Sequence, residues 1–327
     1  MKRRIAVIMG GVSEEREVSL KSGKAVANGL RARGHEVIPI DLQEESIEPI
    51  KSARPEAAFI ALHGRFGEDG AIQALLEESG IPFVGSDSQA SRASMDKMAS
   101  KCFFITHDVP TPPFRLVTTT QQWNHIDDAI EETGLPLVVK PLRQGSSIGV
   151  SVAKNKDEVA VGLSRAFTFG HQALLERYIP GREFTVGVLE DRALPVIELR
   201  PTQPFFNYEA KYVDKGTEYI TRPDLPKEAY EQLQEIALGA HHALDCRHMS
   251  RVDIRLEDDG CPYVLEVNTI PGFTERSLLP LAAKEMGLAF PELCEVLVEM
   301  AMKPQPVQAA CRQVFERSAV KNAPTKA

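Results

Sequence analysis

The sequence predicts an α/β protein of two or three domains that begins with a parallel sheet covered by helices on both faces. Its length is the first observation, because 327 residues exceed what one hydrophobic core usually organises. The second is that short apolar runs alternate with amphipathic segments through the N-terminal part, as they do around parallel sheets. The third is a composition of 43% hydrophobic and 26% charged residues, which is typical of globular proteins.

Hydrophobic periodicity places the elements of the N-terminal part. A helix is predicted over 14–33, ending before Gly34, and a second one in AIQALLEESG. The predicted strands, in chain order, are RIAVIMGG, HEVIPIDL, PEAAFIALHG and IPFVGSD.

The middle of the chain is richer in strands. One helix carrying Lys97 is predicted over 91–109, and the prolines of VPTPPF that follow it indicate a domain boundary. Another helix is predicted around 159–167. The predicted strands are LPLVVKPL, GVSVAKN, ALLERYI and FTVGVLE.

In the C-terminal part, ALPVIELRP continues the sheet, and residues 202–222 form a long polar and aromatic loop. Loops of that length in compact domains are usually either functional lids or disordered, and the aromatic residues of this one favour a lid. A helix over 227–244, two strands and helices within 278–302 follow. Residues 304–327 are mildly basic with weak periodicity, which predicts a flexible tail to which we assign no function.

Charge and cysteine content narrow the class of protein. A net charge of -8 argues against sequence-independent nucleic-acid binding, which needs a basic surface. The apolar run that starts at Ile5 is too short for a signal peptide, and no later stretch is long enough to span a membrane. Five scattered cysteines suggest neither a disulfide framework nor a CxxC metal site. We therefore expect a cytoplasmic protein with no membrane or nucleic-acid partner.

The strands RVDIRL and YVLEVN, joined by a turn, carry the strongest chemical signal. Side chains of a strand alternate between faces, so Asp253 shares a face with Arg251, and Glu266 shares one with Asn268. A hairpin would bring these oxygen donors together, which suits a magnesium-nucleotide site. The alternative is a solvated polar strand face with a cross-strand salt bridge such as Arg251 with Glu266, and the hairpin alone does not decide between them.

A phosphate-binding element is available in Lys140 and the loop 144–149, which reads QGSSIG. Its small residues would let backbone N–H groups approach phosphate oxygens, although the loop by itself could be a plain hairpin turn. It also reads G-x-S-x-G around Ser147, as in serine hydrolases. A nucleophile elbow requires a helix after the turn, whereas 150–153 continues as strand, so that class is disfavoured. The absence of GxxxxGK[ST] and of GxGxxG disfavours P-loop and dinucleotide-binding enzymes.

Separated segments carry polar and glycine-rich motifs in a fixed order. They are GGVSEEREVSL, ALHGRFGEDG, SMDK, VVKPLRQGSSIGVS, EFTV, YEAKY, SRVDIRLEDDG and LEVNTIPGFTERSLLP. From about Ile5 to Met302 these motifs resemble the ATP-grasp superfamily and, within it, the D-alanine:D-alanine ligases. Several motifs in the right order are far more specific than any one of them.

The resemblance implies an ATP-grasp fold of three domains, with a Rossmann-like N-terminal domain and nucleotide bound between the central and C-terminal domains. The implied divisions are 1–92 for the N-terminal substrate domain, 93–183 for the central domain, 184–303 for the C-terminal domain with the lid, and 304–327 for the tail.

The resemblance also implies roles for individual residues around ATP and metal. The residues expected at ATP are Lys97, Lys140 and Lys211 at the phosphates, Glu176, Arg177 and Ile179 at adenine, and Glu183 at the ribose. Asp253, Glu266 and Asn268 are expected to bind two Mg²⁺ ions, with Mn²⁺ as a substitute. The donor set inferred from the hairpin and the one implied by the resemblance thus coincide.

For the amino acids, the resemblance places Glu15 at the ammonium group of the first D-alanine and His63 near its carboxylate. Ser146 and Tyr212 are expected to join Glu15 in a hydrogen-bonded network that closes the lid. The remaining expectations are an oxyanion site at Arg251 and the Gly272 N–H, and a second D-alanine at Ser277 and Leu278. Without the resemblance, Glu15 would be read as a first-turn charge favoured by the helix dipole.

The implied reaction joins two D-alanine molecules through a D-alanyl phosphate and supplies a peptidoglycan precursor for the cell wall, in an enzyme expected to be a homodimer. A related ligase that uses a D-hydroxy acid or another D-amino acid is the alternative. This sequence departs from the family pattern at Gln144, Arg177, Ser250 and Arg276. Arg276 lies beside the expected acceptor site, so acceptor affinity is the property that these departures touch most.

Overall fold

The computed structural model describes residues 2–120, 126–201 and 216–303. The N-terminal sheet has four parallel strands in the order β2-β1-β3-β4, which confirms the predicted parallel sheet. Its elements are β1 (Arg4–Gly10), α1 (Arg16–Ala32), β2 (Glu36–Leu42), α2 (Glu48–Ala53), β3 (Ala57–Ile60), α3 (Ala71–Glu78) and β4 (Phe83–Val84). Of these N-terminal elements, the short helix α2 alone was not predicted from the sequence.

Alternate side chains of β1 enter two separate cores, as expected for a sheet buried on both faces. Ile5 and Val7 pack on one face with α1, whereas Ala6 and Ile8 pack on the other with α2 and α3. This arrangement leaves the carboxyl ends of the strands open, and ligands of open α/β sheets commonly bind at such ends.

The single helix predicted over 91–109 is wrong: the chain forms α4 (Ser88–Met95) and α5 (Lys97–Thr106) instead. Asp96 lies between them in an extended conformation, and its carboxylate accepts hydrogen bonds from the N–H groups of Met98 and Ala99. A capping aspartate of this kind starts a new helix and places Lys97 in its first turn.

The second sheet is antiparallel, in the order β5-β8-β6-β7. Its elements are β5 (Phe114–Thr118), α6 (Ile126–Thr133), β6 (Leu137–Pro141), β7 (Ser151–Ala153), α7 (Lys156–Ala166) and β8 (Gln172–Arg177). The glycine-bracketed loop therefore connects two antiparallel strands, β6 and β7, as predicted. This strand–loop–strand setting also confirms that Ser147 does not occupy a nucleophile elbow.

The third sheet has the order β12-β11-β9-β13-β14, with β10 paired to β9. Its elements are β9 (Arg182–Leu189), β10 (Arg192–Ala193), β11 (Ile197–Arg200), β12 (Glu218–Ile220), α8 (Lys227–Ala243), β13 (Met249–Leu256) and β14 (Pro262–Asn268). The loop predicted over 202–222 is therefore wrong at its end, because Glu218–Ile220 form strand β12. Residues 202–215 lie outside the described residues.

Two helices, α9 (Leu278–Glu285) and α10 (Phe290–Met302), end the described chain. α10 returns to the N-terminal sheet, where Phe290 and Leu297 share a core with Ile5 of β1 and Leu30 of α1. Arg33, just after α1, pairs with Glu295 at 2.6 Å. Of the helices described, none is long and apolar enough to cross a membrane. The tail 304–327 lies outside the described residues, and the domain divisions inferred from the sequence stay predictions.

Candidate active site

A cavity of about 500 Å³, which we call the larger cavity, opens among α1, the loop 144–149, the hairpin β13–β14 and the start of α9. A cavity of about 70 Å³, the smaller cavity, lies among β6, β8, β9 and the same hairpin. Lys97, Asp253 and Glu266 line both. The other residues expected at the site that line the larger cavity are Glu15, His63, Ser146, Arg251, Asn268, Gly272, Ser277 and Leu278. Those that line the smaller cavity are Lys140, Glu176, Arg177, Ile179 and Glu183.

The hairpin brings the expected oxygen donors together. Asp253 is directly opposite Glu266, and Arg251 is opposite Asn268. Arg251 donates two hydrogen bonds to Asp253, from Nε to Oδ1 at 2.9 Å and from Nη2 to Oδ2 at 2.7 Å. The cross-strand salt bridge of Arg251 with Glu266 is therefore not formed, because the bidentate pair within β13 occupies the guanidinium.

Three observations test whether these residues fit a divalent cation. Asp253 is buried and its Oδ1 also accepts a 2.7 Å hydrogen bond from Thr185. The Asn268 Oδ1 accepts from the Ile270 N–H at 2.9 Å, which fixes the amide. The Glu266 carboxylate makes no hydrogen bond or ion pair within the described residues. Carboxylate and amide oxygens held on a hairpin fit a hard cation. Within the described ranges no cluster of three or more His, Cys, Asp or Glu could hold a metal ion, and the donor set here is two carboxylates and one amide.

Glu15 occupies the N-cap position of α1, but its side chain does not cap that helix. It is only 7% exposed, and its Oε1 accepts a hydrogen bond from the Ser146 hydroxyl of the loop 144–149. Ser146 and Ser147 both have a left-handed backbone, with φ at 52° and 57°. Ser146 lines the larger cavity and Ser147 the smaller one.

His63 is 4% exposed and lies in a chain of polar contacts. Its Nε2 is 3.1 Å from the Ser22 hydroxyl, and its Nδ1 is 3.5 Å from Glu68 Oε1. Ser22 in turn accepts a hydrogen bond from the Phe273 N–H at 3.1 Å. The imidazole is thereby held at the wall of the larger cavity by α1, the strand-end loop after β3 and the segment before α9.

The start of α9 forms the far wall of the larger cavity. Ser277 is the N-cap of α9, and its hydroxyl accepts a hydrogen bond from the Thr274 N–H at 2.9 Å. Gly272 and Leu278 line the same wall. Since the N-terminal end of a helix carries partial positive charge, this wall suits a carboxylate. Arg276 is exposed and also lines the larger cavity.

Both lysines of the smaller cavity contact oxygen atoms of the protein. Lys140 contacts Glu176 at 2.5 Å, and Lys97 donates to the Gln144 carbonyl at 2.5 Å. Burial alone would raise the pKa of Glu176, but the charges of Lys101 and Lys140 hold that pKa below its ordinary value. The expected phosphate ligand and the expected adenine ligand thus bind each other here.

The other residues expected at ATP are held by the hairpin. Arg177 donates to Glu257 at 2.9 Å, and its guanidinium lies 5.1 Å from the ring centre of Tyr263. Arg255 donates to the Ile179 carbonyl and to Glu183, each at 3.1 Å. Lys211 and Tyr212 lie outside the described residues.

Some residues that complete the site were missed by the sequence reasoning. Glu68 lies within the motif ALHGRFGEDG, and Lys101 is one helical turn after Lys97 in α5, so spacing was the available signal for both. Ser22 and Thr185 carried no signal, because a serine or threonine inside an amphipathic helix or a strand looks like any other.

Two family models match this chain. The model described as the D-ala D-ala ligase N-terminus matches residues 4–47 and 45–86, and the model for the D-ala D-ala ligase C-terminus matches 103–299. This chain belongs to the D-alanine–D-alanine ligase family. The resemblance found in the motifs is therefore confirmed.

Individual members of the D-alanine–D-alanine ligase family match along nearly their whole length. The D-alanine–D-alanine ligase of Syntrophotalea carbinolica is 45% identical over 90% of this chain and 94% of its own. The crystal structure of the Bacillus anthracis D-alanine–D-alanine ligase complexed with ATP has a TM-score of 0.82 and 35% identity, covering 92% of this chain and 97% of that one. The VanG D-Ala:D-Ser ligase of Enterococcus faecalis has a TM-score of 0.81 and 28% identity, covering 92% and 100%. These likenesses confirm the predicted ATP-grasp fold.

Proposed function

We propose that this chain joins two D-alanine molecules into D-alanyl-D-alanine at the expense of ATP, by way of a D-alanyl phosphate. The observation that carries the proposal is that the two cavities meet at Lys97, Asp253 and Glu266. A phosphoryl group passing from nucleotide to amino acid must cross such a junction. Membership in the ligase family supports the same reaction.

In the first step, a carboxylate oxygen of D-alanine bonds to the γ-phosphorus of ATP while the bond to the β–γ bridging oxygen breaks, releasing ADP. Glu15, fixed by Ser146, holds the ammonium group of that D-alanine, and His63 lies on the carboxylate side. Mg²⁺, or Mn²⁺, held by Asp253, Glu266 and Asn268 would supply positive charge to the phosphates when bound.

In the second step, the neutral amine of another D-alanine forms a C–N bond to the carbonyl carbon while the carbon–oxygen bond to phosphate breaks, and the proton that the amine loses leaves with the phosphate or passes to water. Negative charge develops on the carbonyl oxygen, and we assign its stabilisation to Arg251 and the Gly272 N–H, both of which line the larger cavity. The N-terminal end of α9 at Ser277 and Leu278 receives the carboxylate of the attacking molecule. We assign Lys211 and Tyr212 to the closing lid, which would keep water from the acyl phosphate.

The nucleotide would enter between the second and third sheets, with adenine at Glu176, Arg177 and Ile179 and ribose at Glu183. Lys97 and Lys140 would face its phosphates. Arg177 fits this role through its backbone, since its guanidinium is occupied by Glu257 and Tyr263. We further propose a cytoplasmic homodimer that needs neither membrane nor nucleic acid.

The test is ADP release in a coupled assay with Mg²⁺ and ATP. We expect turnover that requires D-alanine, negligible turnover with L-alanine, and D-alanyl-D-alanine as the product by mass spectrometry. D-Serine and D-lactate offered in competition with D-alanine test the alternative acceptors. Equal ADP release with and without D-alanine would remove the ligase assignment, and a mixed product as the major species would remove the choice of D-alanine as acceptor.

A further inference from the structure

At the wall of the smaller cavity, one buried carboxylate is shared by two lysines from different elements. The Glu176 carboxylate of β8 is 1% exposed. The Nζ of Lys140 on β6 lies 2.5 Å from its Oε1, and the Nζ of Lys101 on α5 lies 2.7 Å from its Oε2. The cluster therefore contains one cation more than Glu176 needs.

The two lysines differ in how firmly the surrounding protein holds them at Glu176. Lys101 is 1% exposed, donates a 2.7 Å hydrogen bond to the Thr111 hydroxyl, and lies 5.3 Å from the ring centre of Phe114. Lys140 is 12% exposed and lines the smaller cavity. Lys101 is thus anchored behind the pocket wall, while Lys140 faces the space that a nucleotide would fill.

The buried Lys101 can carry charge at neutral pH. Burial lowers the pKa of Lys101 to about 8, with the charge of Glu176 opposing that shift. A buried carboxylate without a counter-ion is strongly unfavourable. If Lys140 turned away, Lys101 would still neutralise Glu176, so the departure of Lys140 would leave no unpaired buried charge.

We infer that Lys101 is a positioning residue that serves as the resident counter-ion of Glu176 and so releases Lys140 to the nucleotide phosphates. The inference rests on the proposed function, because it takes the smaller cavity as the ATP site. Without Lys101, Glu176 would retain Lys140 as its remaining close cation, and the nucleotide would lose a phosphate contact. Lys101 itself would touch no substrate.

The experiment measures the dissociation constant of Mg²⁺-ATP by calorimetry, without amino acid, for the wild type and for Lys101→Met. We expect binding about tenfold weaker in Lys101→Met, while the KM for D-alanine stays within about twofold. In a Lys140→Met/Glu176→Gln background, which has neither the phosphate contact nor the buried carboxylate, Lys101→Met should weaken ATP binding by less than about twofold. A loss of about tenfold in that background as well would overturn the inference.

A second variant distinguishes positioning from simple structural support and covers the case in which Lys101→Met fails to fold. Lys101→Met/Glu176→Gln removes both buried charges and leaves Lys140 with no carboxylate to hold it. We expect this variant to bind ATP as Glu176→Gln does, and more tightly than a folded Lys101→Met. Weaker binding than in Glu176→Gln would overturn the inference.

Phe104→Leu is the matched control, because Phe104 is buried in the same helix and makes no charged contact. It should lower the melting temperature without changing ATP affinity. A loss of ATP affinity in Phe104→Leu as large as that in Lys101→Met would overturn the inference by showing that any damage to α5 suffices. A wild type that fails to bind ATP would instead remove the proposed function and the inference with it.

Discussion

The larger and the smaller cavity are built from different interactions. Around the larger cavity, Glu15 is tied to Ser146 and His63 to Ser22 by hydrogen bonds that link distant segments of the chain. Around the smaller cavity, Glu176 and Lys140 form an ion pair with each other. In the proposed reaction, the larger cavity would be set for the amino acid before it arrives, whereas Lys140 at the smaller cavity would have to exchange Glu176 for a phosphate when ATP binds. Substitutions that act on one side and spare the other test this contrast.

The largest effect is expected from two arginines that share one face of β13. Arg251 pairs with Asp253 at the larger cavity, and Arg255 pairs with Glu183 at the smaller one. Arg251→Ala should lower kcat by about 100- to 1,000-fold, since removal of one oxyanion donor costs about 2.7 to 4 kcal/mol. Arg255→Ala should chiefly raise the KM for ATP. Steady-state kinetics in both substrates checks the pair, and near-normal kcat in Arg251→Ala contradicts the role of Arg251.

Adjacent serines give a smaller and sharper contrast. Ser146→Ala removes a hydrogen bond to the Glu15 carboxylate, and bonds to charged groups contribute about 1.5 to 3 kcal/mol. The KM for the first D-alanine should rise at least about tenfold while the KM for ATP changes little. Ser147→Ala, which alters the smaller cavity, is the control and should show the reverse preference. The same profile in both variants would mean that the loop acts as one unit.

The smallest effect expected is the pH dependence of stability. It concerns β13, which contributes residues to both cavities. Burial lowers the pKa of His248, at the start of that strand, to about 4 from 6.5, and its Nδ1 accepts from the Gly85 N–H at 3.1 Å. Between pH 6.5 and 4 the unfolded chain binds a proton that the folded chain does not. Stability is therefore full above pH 6.5 and falls as the pH drops, by roughly 2 kcal/mol at pH 5.

His248→Asn keeps an acceptor and suits the left-handed backbone at φ 60°, so it should flatten this loss. Urea unfolding at pH 7 and pH 5 measures it, with His107→Asn on the surface as the control. If His248→Asn loses as much free energy of unfolding between pH 7 and pH 5 as the wild type does, the effect belongs to another group. His241 is one such group, because burial also lowers its pKa to about 4.

The sequence predicted most of the framework because periodicity reports burial directly. β1 and α1 lie where the apolar pattern placed them, and the hairpin β13–β14 pairs Asp253 with Glu266 as alternation required. The error over 91–109 arose because the continuous periodicity hid the cap at Asp96, which ends one helix and starts another.

The sequence could not predict which hydrogen-bond and ion-pair partners the individual side chains of the site would take. Several acceptors lay within reach of Arg251, and only the geometry of β13 selects Asp253 over Glu266. The burial of Lys101 likewise depends on tertiary packing, because α5 packs on the core of the third sheet through Phe104 while Lys101 reaches Glu176 of the second sheet, and no local pattern encodes that. The proposed roles of the site residues stay predictions that the variants above can test.

The return of α10 to the first sheet has a consequence for how the protein is made. Phe290 and Leu297, near the end of the described chain, belong to the same core as Ile5 and Leu30 at its beginning. As a ribosome synthesises the chain, the first sheet emerges early, but the face that it shares with α1 stays only partly covered until α10 is complete. That apolar face must be tolerated or shielded during translation, so premature termination before α10 would yield an aggregation-prone product and no independently stable N-terminal domain.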